Sequence, residues 1–579
     1  MSLKPIPYGV SDYKTIITKG RAYVDKTMYI RSLEDADDYI LFLRPRRFGK
    51  SLFASTLGYY YDIAEKDNFD LLFSGTDIGR NPSLEKNTYY ILKFDFSDVE
   101  TGSGEILLES FTNRVYDALL AFSDTYHLDL TLKMTRPAAQ LSTFFREFRR
   151  TCDGKIYVII DEYDNFANEL LSSDLESYEN IISGDGFVRK WYAGLKRVAG
   201  TIVGRIFITG VSPITLDSLT SGFNNATNLS MDSDFNEMMG FTRSEVEQLI
   251  EETISHEGLP SDLMNALTDY YNGYCFSKKG KEHVFNSDMV LYYLKHYQRH
   301  HEPPDVLLDY NAVSDYGKLG RLMRFKTPDQ NLETLKEVVF NGYTISHLVS
   351  RYSLEQQFKP EHFKSLLFYL GLLTIKEPDP ESTSFLLQIP NEVMKGLYFD
   401  FLMEIITEDA KYTPETGKIK DALRQIAREG SCEKLTVLME ALLHSLSNRD
   451  SLGFAEKDLK ITLALYLLMS KVYTMKSEYE VERRYIDLVF FPEDDMSELD
   501  ILLFELKYIK KSDLSKKKTT KSSDTAKEKT IAEAISGATE QLKRYSSATE
   551  FSERKISAFA IVFAGAECVH RGKVEIECL

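Results

Sequence analysis

A short apolar run, YILFL from Tyr39 to Leu43, passes directly into RPRRFGKSL. No other stretch restricts the fold as much. Gly49, Lys50 and Ser51 match the end of the pattern GxxxxGK[ST], which works only where a buried strand turns into a helix N-terminus and leaves successive backbone N–H groups facing a phosphate. There the ammonium of Lys50 reaches the β and γ oxygens of a nucleotide and the hydroxyl of Ser51 reaches Mg²⁺, so Arg46, Arg47, Phe48, Gly49, Lys50, Ser51 and Leu52 are the candidate binding residues. The first glycine of the pattern falls on Arg44, with Pro45 after it; this predicts extended backbone at Arg44 and one N–H fewer in the cradle. Arg46 and Arg47 offer guanidiniums that can contact phosphate oxygens in compensation. Lys50 is expected to face solvent when the loop is empty. Read alone, FGKS also suits a basic turn that caps a helix.

The surrounding text favours the phosphate loop. YYILKFDF (Tyr89 to Phe96), IYVII (Ile156 to Ile160) and RIFITG (Arg205 to Gly210) alternate with helical stretches, and runs apolar on both faces predict a largely parallel sheet covered by helices. IYVIIDEYDN places Asp161 and Glu162 at the carboxyl end of a buried strand. Asp161 can hold Mg²⁺ together with Ser51, and Glu162 can orient the attacking water. FITGVSP ends another strand on Thr209, which can sense a γ-phosphate or, as readily, serve a turn. ATP and Mg²⁺ are the cofactors expected.

Beyond Gly210 the text turns helical and polar from about Arg243 to His301, and a helix, strand, helix order between Phe363 and Leu402 suggests a winged-helix-like unit or a helical connector with one hairpin. From Phe454 a second α/β pattern begins: helix Leu459 to Val472, strands Tyr479 to Glu482, Tyr485 to Phe491 and Ile501 to Ile509, helix Lys527 to Tyr545, strand Ile556 to Ala564. Asp487 lies in YIDLVFF, and Glu505 and Lys507 lie two apart in ILLFELKYI. A strand period of two puts Glu505 and Lys507 on one face, where Glu505 and Asp487 can share Mg²⁺ while Lys507 orients water. The expected fold class is α/β, divided as a phosphate-loop sheet domain (1–240), a helical lid or extension (241–358), a winged-helix-like and helical connector (359–453) and a second α/β domain (454–579).

The opening IPYGVSDYKTIITKGRAYVDKTMYI, then LRPRRFGKSL, VIIDEYD, YNGYCF and VFN, resembles the bacterial AAA-ATPase-like family that usually carries a PD-(D/E)XK nuclease domain at its carboxyl end. The resemblance implies that Tyr23, Asp25, Lys26 and Thr27, in YVDKT, lie near the nucleotide. It also implies that the carboxyl-terminal domain is restriction-endonuclease-like, with Gln541 and Tyr545 as an auxiliary pair, Glu480 as a further metal ligand and Glu456 as a weaker candidate. The family's SNREsGrGRxD appears as SEYEVERRYID, in which Ser477 and Glu480 align while Glu482 and Arg484 replace glycines and Tyr485 replaces the arginine. That departure argues against a tight glycine turn there.

Charge limits the partners. With 88 acidic against 70 basic residues the 579-residue chain carries a net charge of -18, which excludes coating nucleic acid over the whole surface and requires any polyanion site to be local. The Lys-rich stretch KKSDLSKKKTTKSSDTAKEK after the ELK strand is such a place, or simply a solvated loop. Five scattered cysteines without a CxxC pair suit a reducing cytosol, and the apolar runs are too short for a membrane span. The expectation is a cytoplasmic, ATP-binding and ATP-hydrolysing protein without a membrane partner. Its carboxyl-terminal domain would bind nucleic acid, taken to be DNA, and cut it with Mg²⁺; homo-oligomerisation stays open. The alternative is a nucleotide-switched regulatory or DNA/partner-binding protein whose nuclease fold is inactive.

Overall fold

The computed structural model describes residues 3–102, 104–167, 170, 186–213, 225–255, 261–280, 282–309, 327–349, 359–378, 383–410, 415–445, 456–468, 473–481, 484–492, 499–510, 523–545 and 555–575, with only the backbone for 474–481, 484–487 and 544–545 among others. The described residues divide into two compact units, Met1–Thr334 with Thr344–Lys395 and Leu335–Tyr343 with Gly396–Leu579.

The first unit is built on strands β1 (Tyr39–Leu43), β2 (Tyr89–Asp95), β3 (Lys155–Asp161), β4 (Val203–Gly210) and β5 (Thr227–Asn228). They form one sheet in the order β2-β3-β4-β1-β5, parallel throughout. The apolar runs end within a residue or two of the expected limits; β5 was not foreseen, because two exposed residues carry no periodicity. Register does the positioning: Leu43 pairs with Gly210, Ile160 with Ile208 and Asp95 with Asp161. The carboxyl ends of β1, β3 and β4 are therefore level, and whatever follows them converges.

Helices α1 (Lys50–Tyr61), α2 (Gly104–Thr125), α3 (Pro137–Thr151), α4 (Phe187–Val198), α5 (Arg243–Thr253) and α6 (Ser287–His300) accompany this sheet. Phe94, Phe96, Phe111 and Trp191 are buried together with edge-on and stacked rings, which fixes α2 and α4 to the sheet. Farther on, β6 (Tyr343–Ser346), helix α7 (Pro360–Tyr369), β7 (Thr374–Pro378), β8 (Phe385–Gln388) and helix α8 (Glu392–Ala410) follow, with β7 and β8 antiparallel in a small sheet of order β6-β8-β7. The β7–β8 hairpin stands between the two helices, with β6 added to its edge.

In the second unit, helix α9 (Glu456–Leu468), strands β9 (Tyr473–Val481), β10 (Arg484–Pro492), β11 (Ile501–Ile509), helix α10 (Ser523–Tyr545), β12 (Ile556–Ala564) and β13 (Glu567–Val574) form a mixed α/β fold of sheet order β13-β12-β11-β10-β9. Only β11 and β12 run parallel, and α10 connects them. Ala538 and Leu542 of α10 are buried against Val489, Leu503 and Ala560. β13 alternates exposed and half-exposed residues, so its weak apolar signal explains why it was missed. No described helix is long and apolar enough to cross a membrane.

Candidate functional site

After β1 the chain turns through Arg47 (φ 70°) and Gly49 (φ 88°), both left-handed, before α1 starts at Lys50. Glycine meets that requirement at position 49 without strain, and the first N–H groups of α1 are left without helical acceptors. Arg44, at the place of the missing glycine, is 1 % exposed. Its guanidinium donates to the carbonyls of Leu43 (2.9 Å), Ser230 (2.6 Å) and Phe235 (2.9 Å), and lies over the rings of Phe42 and Phe276. Burial pulls its pKa down to about 9, so it stays a cation at neutral pH. The side chain thus braces the loop from beneath. Phe276 and Tyr274 also meet Phe48 edge-on at 5.4 and 4.9 Å, so YNGYCF packs against the phosphate loop. Val284 and Phe285 of VFN bridge back to Tyr274 and Phe241, and Asn286 caps α6.

Lys50 does not face solvent as expected. It is 4 % exposed, with Nζ donating to the carbonyls of Arg44 (3.1 Å) and Pro45 (2.9 Å). Burying an ammonium without hydrogen bonds would be costly, and these two carbonyls supply acceptors from its own loop. Burial lowers its pKa, against the pull of Glu162, Asp161 and Asp164.

The carboxyl end of β3 carries the acidic pair. The buried Asp161 accepts the hydroxyl of Thr209, and Thr209 in turn accepts the N–H of Glu162 at 3.3 Å. One threonine therefore orients both. Glu162 has a φ of 53°, and its carboxyl is pushed above the usual range by burial, with the charges of Lys50 and Arg46 opposing. Two residues on, buried Asp164 accepts the N–H groups of Val211 and Ser212 at 2.7 to 3.1 Å, while the Tyr163 hydroxyl donates to Ser212. A Cβ at Gly210 would stand 2.3 Å from the Tyr163 ring, so the close approach of this turn to β4 needs glycine.

A cavity of about 320 Å³ opens over these groups. Arg47, Phe48, Gly49, Lys50, Ser51, Leu52 and Glu162 line one part of it, and Pro7, Val10, Met238, Met239 and Phe241 line another. Tyr23 and Lys26 of YVDKT line it too. Lys26 is held by Glu245 Oε2 (2.7 Å) and the Glu237 carbonyl (2.8 Å). Asp25 and Thr27 bond each other and receive the N–H groups of Asp77 and Ile78; they hold the turn that presents Tyr23 and Lys26. Arg47 is tied to Asp288 (2.6 Å) and Asp309 (3.3 Å), and Arg46 to Asn165 (2.6 Å). Asn165, Asp288 and the two methionines were not singled out from the sequence. Asn165 stood in the quoted IYVIIDEYDN string, but nothing marked the others. Backbone donors, an ammonium, a hydroxyl and a carboxylate beside an apolar recess form a donor set that fits a nucleoside triphosphate with Mg²⁺.

In the second unit, Glu505 is 1 % exposed on β11 and accepts Lys507 Nζ at 2.9 Å. Glu456, at the start of α9, accepts the N–H of Tyr508 (3.2 Å) and stands 3.9 Å from the Lys507 ammonium. The carboxylate and lysine expected on one face do meet, and Glu456 joins them. The β10–β11 ladder pairs Leu488 with Phe504, so the backbone of Asp487 adjoins that of Glu505. The side chains of Asp487, Glu480 and Tyr545 lie outside the described residues, as does most of the Lys-rich stretch. Gln541 is half-buried next to the core residue Leu542 on α10, which covers β11 and β12. Among the described residues no three acidic, histidine or cysteine side chains are grouped to hold a metal.

Comparison with known proteins agrees with both units. Residues 7–220 match the family model described as predicted AAA-ATPase, and residues 454–573 match that of the PD-(D/E)XK nuclease superfamily. The two segments have the order that the motifs implied. An uncharacterized protein in the vnfD 5′ region of Azotobacter chroococcum mcd 1 is 24% identical over 432 residues, 73% of this chain and 75% of that protein. The Walker-type ATPase PABY2304 of Pyrococcus abyssi covers 69% of this chain and 99% of its own at 12% identity, with a TM-score of 0.38, too low to carry an argument.

Proposed function

We propose that the chain binds and hydrolyses ATP with Mg²⁺ in the cavity of its first unit, and that this cycle controls a Mg²⁺-dependent phosphodiesterase centred on Glu505 and Lys507 that cuts DNA in the cytoplasm. The observation that carries the reading is the meeting of Lys50, Ser51 and Glu162 on one cavity, with Asp161 held beside it by Thr209. ATP supplies the transferable phosphoryl group, and Mg²⁺ neutralises charge on its oxygens. Lys50 exchanges two loop carbonyls for phosphate oxygens. Ser51 and Asp161 are the residues that would hold the metal. Glu162 orients water through its carboxylate and takes up its proton, and Thr209 keeps Glu162 and Asp161 in register.

In the second unit Lys507 is the group that would orient water and steady a scissile phosphate, with Glu505, Asp487 and Glu480 as metal ligands, Gln541 as an auxiliary contact, and Glu456 positioning the lysine. Incubating the purified protein with plasmid DNA and Mg²⁺, with and without ATP, tests the whole. Cleavage that needs both is the expected result. ATP turnover without any cleavage under any nucleotide condition would leave only a switch in the first unit.

A further inference from the structure

We propose that the groove between α3 and α4 binds the phosphate backbone of duplex DNA, a second nucleic-acid contact outside the β11 centre; the proposal rests on the reading that the chain acts on nucleic acid. α3 carries Arg146, Arg149 and Arg150 with Glu147 as its single acidic residue, and α4 carries Arg189, Lys190, Lys196 and Arg197 with none. In a chain of net charge -18 these two adjacent helices are a local reversal of sign. The helices enclose a groove of about 470 Å³ with Phe145 and Gly194 in its floor and Arg146, Arg149, Arg150 and Arg197 on its rim.

Basic residues in a last helical turn complement the helix dipole, and that accounts for Arg149, Arg150, Lys196 and Arg197 one helix at a time. It does not account for guanidiniums from two helices converging on one concavity, nor for Arg146, which lies a turn earlier. The side chains of Arg146 and Arg150 are 57% and 69% exposed, and both pair with the same Glu147 carboxylate oxygen, at 3.3 and 3.2 Å. One carboxylate cannot neutralise both, so the rim keeps a strong positive potential. Guanidinium forks match the oxygens of a phosphodiester. The groove residues named above lie on helices, which present no strand edge with which to pair an extended peptide backbone. An evenly charged duplex backbone suits it better than an acidic peptide.

The groove lies where α3 and α4 lead into the amino ends of β3 and β4, and the nucleotide cavity lies at their carboxyl ends. The seven residues of β3 separate the two by roughly 20 Å. Substitutions on the rim should therefore leave ATP affinity untouched, which gives an internal check on folding.

The test is fluorescence anisotropy of a labelled DNA duplex with the full-length protein in EDTA, repeated over a salt series. Arg149→Ala combined with Arg197→Ala should weaken binding by roughly tenfold and flatten the slope of log affinity against log salt by about two, with ATP affinity unchanged. Glu147→Gln should act in the opposite direction and tighten binding, since it releases Arg146 and Arg150. A parent that binds duplex and a double variant that binds equally well, with the same salt slope, would remove the groove and leave the nucleic-acid reading intact. A parent that binds no duplex would remove both. Retention of polyglutamate by the parent and its loss in the double variant, with duplex binding unaltered, would overturn the proposal in favour of an acidic protein partner.

Discussion

The guanidinium of Arg44 lies over the ring of Phe276, 4.3 Å from its centroid. This pairing makes Arg44 a support of the phosphate loop, although it stands where the familiar pattern has glycine. Arg44→Gly, which restores the pattern on paper, should therefore damage the protein. It strips the carbonyls of Leu43, Ser230 and Phe235 of their donor and opens a void between two rings, together about 3 kcal/mol or more of stability. Denaturant unfolding of the full chain measures that loss, and ATP titration should show weaker binding. A glycine variant as stable as the parent would mean that the stacking is incidental.

Lys50→Ala should abolish ATP binding with little effect on the fold. The buried ammonium bonds only loop carbonyls in the described structure, and its loss removes a desolvated charge along with two hydrogen bonds, so the stability terms largely offset each other. The lost charge-assisted bonds to the phosphate oxygens take the affinity with them. Calorimetric titration decides, and unaltered affinity would reduce RPRRFGKS to a basic turn.

Glu162→Gln should keep ATP affinity and lose turnover. The parent's pH profile follows from the raised carboxyl of Glu162: the group works deprotonated, so turnover should rise with pH through a value above the ordinary carboxylate range. Arg46→Ala removes one of the cations that hold this pKa down. The neutral form is then favoured, the pKa rises further, and the acid limb should move to higher pH. A limb that stays put or moves lower would show that Glu162 does not set it.

Lys507→Ala separates structure from chemistry in the second unit. It removes the ammonium that now donates to Glu505, which is 1 % exposed, and losing a charge-assisted bond to a buried carboxylate should cost about 2 kcal/mol. Mg²⁺ or Mn²⁺ should restore much of that stability by taking the place of the ammonium, while cleavage stays absent. Thermal unfolding with and without metal gives the first reading and a plasmid assay the second. Stability that metal does not recover would argue against Glu505 as a ligand.

Much of this was legible in advance because it is written in short-range pattern. YILFL, IYVII and ILLFELKYI announce buried strands through unbroken apolar runs, and GKS and DEY mark the turns that follow. The role of Arg44 was not legible, since its partners Ser230, Phe235 and Phe276 are remote in sequence and only the fold gathers them. The same holds for Asp288 on Arg47. β5 and β13 escaped because they are ladder-bonded without an apolar face. Glu456 was reachable only through family resemblance, as nothing in EKDLKI shows that its first carboxylate will reach the N–H of Tyr508.

Glu162 sits in a left-handed backbone conformation, φ 53°, that glycine and asparagine adopt more readily than glutamate does, at a difference of roughly 1 kcal/mol. Drift acts on that difference. In a lineage that no longer needed the reaction, exchange of this carboxylate for glycine or asparagine would be among the simplest stabilising changes open to the loop. Descendants that keep the fold but have retired the chemistry should carry their record at this position, with the strands on either side unaltered.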